Sequence, residues 1–163
     1  MPPPVTVERS RAIPVEIHQA YDGTLPAPLT TLFRRRYALL PPITGVREQV
    51  GPWGRVDQSR IIVTSDGGTM REVLTDLDPP HGFGYRLTVL TGPMRPLVDR
   101  VEGRWEFTPA GTGTLVTWRW VLQPRAAGAP VLPLITRMWL GYARQALEEL
   151  SDLLVDPGPP GAP

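Results

Sequence analysis

Side chains able to do acid–base work are few in this chain, and none stands in a catalytic spacing. General acid–base chemistry needs a titratable group held inside a cavity with a shifted pKa. His18 lies in a mixed pattern with Val15, Ile17, Ala20 and Tyr21, so its direction stays open, and a half-exposed surface histidine is the simpler expectation. His81 follows Pro79-Pro80 in a turn and is expected to be exposed. Two histidines this far apart, with no cysteine and no His-x-x-x-His spacing, give no metal signature. Glu72 and Asp76 share one face of a strand with Leu74, while Val73, Thr75 and Leu77 share the other. Their orientation is open, and a solvent-facing carboxylate is the default for both. No serine, histidine and aspartate grouping suggests a hydrolase, and no glycine-rich loop opens a helix to cradle phosphate. No catalytic set is therefore assigned.

The aromatic residues say more. Val101, Gly103, Trp105 and Phe107 alternate with Arg100, Glu102, Arg104 and Glu106, and Val116, Trp118, Trp120 and Leu122 alternate with Leu115, Thr117, Arg119 and Val121. Period-two patterning marks a sheet with one covered face. Pairing these strands about a Gly111-Thr112 turn sets Phe107 opposite Val116, Trp105 opposite Trp118 and Gly103 opposite Trp120, the glycine leaving room for an indole. Trp105, Trp118, Trp120 and Trp139, with Tyr85 and Tyr142 on inward faces, are the candidate ligand-binding residues. Their rings offer broad apolar area and a few N–H and O–H groups. The plainer reading is a filled core in which the same indoles pack on Trp139 and Tyr142.

The elements that must position them follow from turn chemistry and period. Val5 to Ile13 reads as a strand, Pro14 to about Tyr21 and Ala27 to Leu39 as two short helices, and Val46 to Val50 as a second strand. Val56 to Thr64 and Thr69 to Leu77 flank the hairpin signal Asp66-Gly67-Gly68. Phe83 to Leu90, Asp99 to Thr108 and Thr114 to Leu122 complete the strands. From Pro130 to Val155, Leu132, Ile135, Trp139, Tyr142, Ala146, Leu150 and Leu153 fall on one helical stripe, with Arg137, Arg144 and Glu148 opposite. The expected architecture is α+β: a seven-stranded antiparallel sheet wrapped around a long C-terminal helix, with two short helices between strands 1 and 2. One domain over residues 5–155 is expected, with residues 1–4 and 156–163, rich in proline and glycine, as flexible tails.

Composition narrows the partners. All seventeen basic residues are arginine, and lysine, asparagine and cysteine are absent, as in a coding sequence from a GC-rich bacterium. A net charge of +1 with interleaved signs leaves no field to steer nucleic acid. Arg34, Arg35 and Arg36 on a short helix would point in three directions, as a solvated face. No apolar run approaches a membrane span of roughly 18 residues. A cytoplasmic monomer or homodimer with no cofactor is expected.

Gly51-Pro-Trp-Gly-Arg-Val-Asp-Gln-Ser-Arg60, the turn at Asp66-Gly67, Glu72 to Pro80 before an aromatic strand, and Gly113 to Trp118 resemble the START-like SRPBCC superfamily. More narrowly they resemble its polyketide cyclase/dehydrase and lipid-transport group, whose helix-grip fold is shared with the birch pollen allergen. The resemblance covers about Val5 to Val155. One departure is Asp57, where such proteins often carry glycine. The resemblance implies a cavity between sheet and helix. Two functions compete: binding of a hydrophobic or aromatic small molecule, as carrier or sequestering protein, or a polyketide cyclase/aromatase-type enzyme acting on a bound chain. The inward positions supply tryptophan and tyrosine but no assigned Asp, Glu, Lys or His, which favours binding. A collapsed cavity would leave a partner surface as the third reading.

Overall fold

The computed structural model describes residues 2–156. Most of the two expected tails, Met1 and residues 157–163, lies outside the described residues. Of the first, the Pro2 carbonyl accepts a hydrogen bond from Gln123 Nε2 at 2.8 Å.

The elements run β1 (Val5–Ile13), α1 (Ile17–Thr24), α2 (Leu29–Leu32), β2 (Ile43–Arg47), β3 (Ser59–Thr64), β4 (Thr69–Asp78), β5 (Gly82–Thr91), β6 (Val98–Ala110), β7 (Gly113–Pro124), a 3-10 turn (Ala126–Val131) and α3 (Leu132–Val155). The seven strands form one sheet in the order β1-β7-β6-β5-β4-β3-β2, and every neighbouring pair is antiparallel. The expected sheet, its long helix and the two helices between β1 and β2 are all present.

Two departures have local causes. Residues 33–39 are not helical, because the Phe33 carbonyl accepts from the Ile43 N–H at 2.9 Å while its ring wedges between Trp118 and Tyr142, at 5.2 and 5.3 Å between centroids. Arg34, Arg35 and Arg36 therefore leave a loop rather than a helix face. Arg34 and Arg35 reach Glu149 on α3 at 2.9 and 3.1 Å, so the arginine run clasps the long helix. Strand β3 starts at Ser59 rather than Val56 because Gln58 holds the preceding corner. Its Oε1 accepts from the N–H groups of Gly54 and Arg55, and its Nε2 donates to the carbonyls of Val50 and Pro52. Asp57 in that corner has φ 69°, the left-handed conformation that glycine holds most easily.

The inward face carries the core. Trp118, Val116, Leu122, Phe107 and Trp105 are buried from β6 and β7, and Ile135, Trp139, Tyr142, Ala146 and Leu150 from α3. The β6–β7 hairpin closes on Gly111-Thr112, with Gly111 at φ 59°, and its register is the expected one: Phe107 with Val116, Trp105 with Trp118, Gly103 with Trp120. The outer face is a half-exposed ladder of ion pairs, Arg86 to Glu102 at 2.7 Å, Arg104 to Asp76 at 2.8 Å, and Arg119 to both Glu8 and Glu106. Such exposed pairs contribute about 0–1 kcal/mol each, so burial on the other face holds the sheet.

Candidate functional site

Between the sheet and α3 lies a cavity of ≈130 Å³. The volume is close to that of an apolar cavity of roughly 150 Å³ in another protein that takes up benzene. Its lining runs from α1 and α2 across β3 to β7 and up to Tyr142 of α3. Exposed Asp66 and Thr91, from the β3–β4 turn and the end of β5, mark its mouth.

All six residues singled out from sequence line this cavity: Tyr85, Trp105, Trp118, Trp120, Trp139 and Tyr142. The rings pack on one another. Trp105 stacks on Trp118 at 5.2 Å, Trp139 lies 4.9 Å from Trp118, and Trp120 meets Trp118 edge-on at 5.5 Å. They are therefore both core and wall, and the two readings of the tryptophan face describe the same surface.

The polar groups differ from expectation. Tyr85 is the centre of the tryptophan cluster: its hydroxyl oxygen accepts from Trp118 Nε1 at 2.7 Å and Trp120 Nε1 at 3.0 Å. Its ring lies over Gly103, where a Cβ would stand 2.0 Å from Tyr85 Cζ. Glycine at 103 thus makes room for the phenol of the neighbouring strand, since Tyr85 is its partner in β5, and not for an indole. A side chain added at 103 would displace the phenol rather than fill open cavity. Tyr142 donates its proton to the Pro41 carbonyl at 2.8 Å and so ties α3 to the loop before β2. Burial raises the pKa of both phenols well above the ordinary tyrosine range.

The interior also holds charge that sequence reasoning missed. Glu72, expected to face solvent, is 5% exposed and lines the cavity, and Arg60 beside it is 6% exposed. They pair directly across β3 and β4, with Arg60 Nε donating to Glu72 Oε1 at 2.5 Å. The guanidinium also lies over the Trp53 ring, 3.9 Å from its centroid. Burial pushes the Glu72 carboxyl up, and the charge and hydrogen bond of Arg60 pull it partly back.

Asp76, four residues on, stands on the opposite face and binds Arg104. A β-bulge separates the two carboxylates: Leu74 pairs with Tyr85 but Asp76 with Gly84, so one extra residue in β4 inverts the face. Alternation alone puts both on one side. The one signal for an inward Glu72 was its phase with Leu74, and the buried arginine had none beyond its place in β3. His18 and His81 are exposed, beside Glu16 and Asp78, and neither enters the cavity. No cluster of metal-ligating side chains occurs among the described residues, and no helix among them is long and apolar enough to cross a membrane.

An antiparallel sheet closed on a C-terminal helix around an apolar cavity defines a helix-grip protein of the START type. The chain belongs to the polyketide cyclase / dehydrase and lipid transport family, whose model matches residues 4–155. Solved structures share the fold at low identity. Ara h 8.0201 aligns over 93% of this chain and 98% of its own at 12% identity and a TM-score of 0.70. Major latex-like protein 151 from Panax ginseng aligns over 92% and 97% at 16% identity and a TM-score of 0.64. DynU16, from the dynemicin biosynthetic locus, is matched over 94% of this chain but 48% of its own, at 16% identity and a TM-score of 0.60. No curated protein matches the sequence.

Proposed function

We propose that this domain binds a largely apolar, partly aromatic small molecule between the sheet and α3, as a carrier or sequestering protein. The observation that carries the reading is the cavity itself, walled by stacked indoles and containing few polar groups, a composition suited to orienting such a ligand. Titration of the protein with neutral aromatics of one or two rings tests it through intrinsic tryptophan fluorescence, because all five tryptophans line the cavity and their emission should quench or shift on occupancy. Val89→Phe, at a buried lining position away from the tryptophans, is expected to weaken binding at least tenfold without unfolding the protein. Absence of binding below about millimolar concentration, where the free energy is only roughly −4 kcal/mol, refutes the reading.

A second reading, an enzyme of the cyclase/aromatase kind, is favoured by one observation. The cavity contains a buried carboxylate, Glu72, and a phenol, Tyr85, which are the kinds of group that remove and supply protons in aldol and dehydration chemistry. Conversion of a polyketide-like substrate by the wild type, lost in Glu72→Gln with binding retained, distinguishes enzyme from carrier.

A further inference from the structure

The polar atoms at the tryptophan end of the cavity can be sorted by what each still offers a ligand. A phenol oxygen has two acceptor positions and one proton. In Tyr85 both acceptor positions are taken by the indole N–H groups of Trp118 and Trp120. Its proton has no protein acceptor among the described residues, and two donors pointed at the oxygen polarise the O–H and strengthen it as a donor. Tyr85 therefore has a hydrogen to give and no room to accept. The other partnerless atom here is of the same kind: Trp139 Nε1 is a buried donor without an acceptor, its ring 4.9 Å from Trp118 and 5.6 Å from Trp120. The Tyr142 proton is already given to Pro41. The charges inside, Arg60 and Glu72, neutralise each other across a short charge-assisted bond, so the interior asks for no counter-ion.

We propose that Tyr85 determines ligand specificity by polarity: it selects a neutral molecule that presents a ketone- or quinone-type carbonyl oxygen to the tryptophan end of the cavity. This rests on the cavity-binding reading above and adds the group that the ligand must carry. A carbonyl oxygen accepts the free proton and brings none of its own. A ligand hydroxyl would bury a hydrogen facing a saturated oxygen, and such an unmade bond costs affinity. A carboxylate would bring an uncompensated negative charge into an apolar space that already holds Glu72, and an ammonium would set donors against donors.

The test measures dissociation constants for four bicyclic probes of nearly equal size, indane, 1-indanone, 1-indanol and indane-1-carboxylate, with the wild-type protein and Tyr85→Phe. The ketone is expected to bind the wild type about tenfold more tightly than indane and more tightly than the alcohol or the acid, and Tyr85→Phe is expected to reduce the ketone's advantage over indane to within about threefold. Because Tyr85→Phe leaves two indole N–H groups without an acceptor, the infrared C=O stretch of 1-indanone bound to the wild type gives an independent readout. It is expected to lie below its value in hexane. Equal binding of indane and 1-indanone with an unshifted carbonyl, or tighter binding of the alcohol or acid, overturns the specificity while the cavity reading stands. Binding of none of the four below millimolar concentration overturns both.

Discussion

Gly103→Ala is expected to unsettle the whole tryptophan face, and the structure supplies the magnitude. An added Cβ would stand 2.0 Å from Tyr85 Cζ and 2.5 Å from its hydroxyl oxygen, distances at which the ring must move. Overpacking of this kind costs about 1–3 kcal/mol. The displaced hydroxyl also abandons the N–H groups of Trp118 and Trp120, bonded at 2.7 and 3.0 Å. Each donor left buried without a partner costs about 1–3 kcal/mol, with Trp120, which is only half-buried, at the low end. The expected loss is therefore about 3–7 kcal/mol, a large share of a typical domain's stability. Urea unfolding followed by far-ultraviolet circular dichroism measures it. The same substitution in a Tyr85→Leu background, where no ring stands over position 103, is expected to cost less than about 1 kcal/mol, so the double-mutant cycle isolates the contact. Equal losses in the two backgrounds would refute the claim that position 103 is kept small for the phenol of β5.

Two further predictions concern titration. Tyr21, Tyr85 and Tyr142 are held protonated above the ordinary value of 10.0, burial being the main cause in each. A raised folded-state pKa means that their contribution is intact below pH 10 and is lost as pH rises beyond it. Tyrosinate absorbance at 295 nm should accordingly show these phenols ionising only together with alkaline unfolding, and free titration of all four tyrosines near pH 10 in the folded protein would contradict the burial. Glu72 is likewise raised above its ordinary value of 4.5 by burial, against the opposing pull of Arg60. The stability of the wild type relative to Glu72→Gln should therefore fall as pH rises from below 4.5 toward neutrality, on top of a pH-independent penalty in the variant for leaving Arg60 unpaired. A relative stability that climbs with pH in denaturant midpoints would show that Arg60 outweighs desolvation.

Much of this fold was legible because its signals are local. Alternation along residues 98–122 reports which side of a strand is covered, whatever lies next to it, and the stripe from Leu132 to Leu150 reports one buried helix face. The two-residue turn at Gly111-Thr112 then set the register of β6 on β7 and brought Trp105 against Trp118. Trp105, Trp118 and Trp120 reach the cavity for that reason, Tyr85 by the same alternation along β5, and Trp139 and Tyr142 on the buried stripe of α3. The tertiary structure alone decided the polar part of the site. Glu72 and Asp76 are in phase along the chain, yet the bulge after Leu74 sends one to Arg60 inside and the other to Arg104 outside. Arg60 faces inward because the Gln58 corner starts β3 at Ser59 and Trp53 covers its guanidinium. Gly103 answers to Tyr85 from β5 rather than to Trp120 of its own hairpin. Periodicity along one strand carries no information about an extra residue absorbed between two strands, or about which side chain from a neighbouring strand fills the space above a glycine. Those choices belong to the assembled sheet, where partners from separate strands settle together.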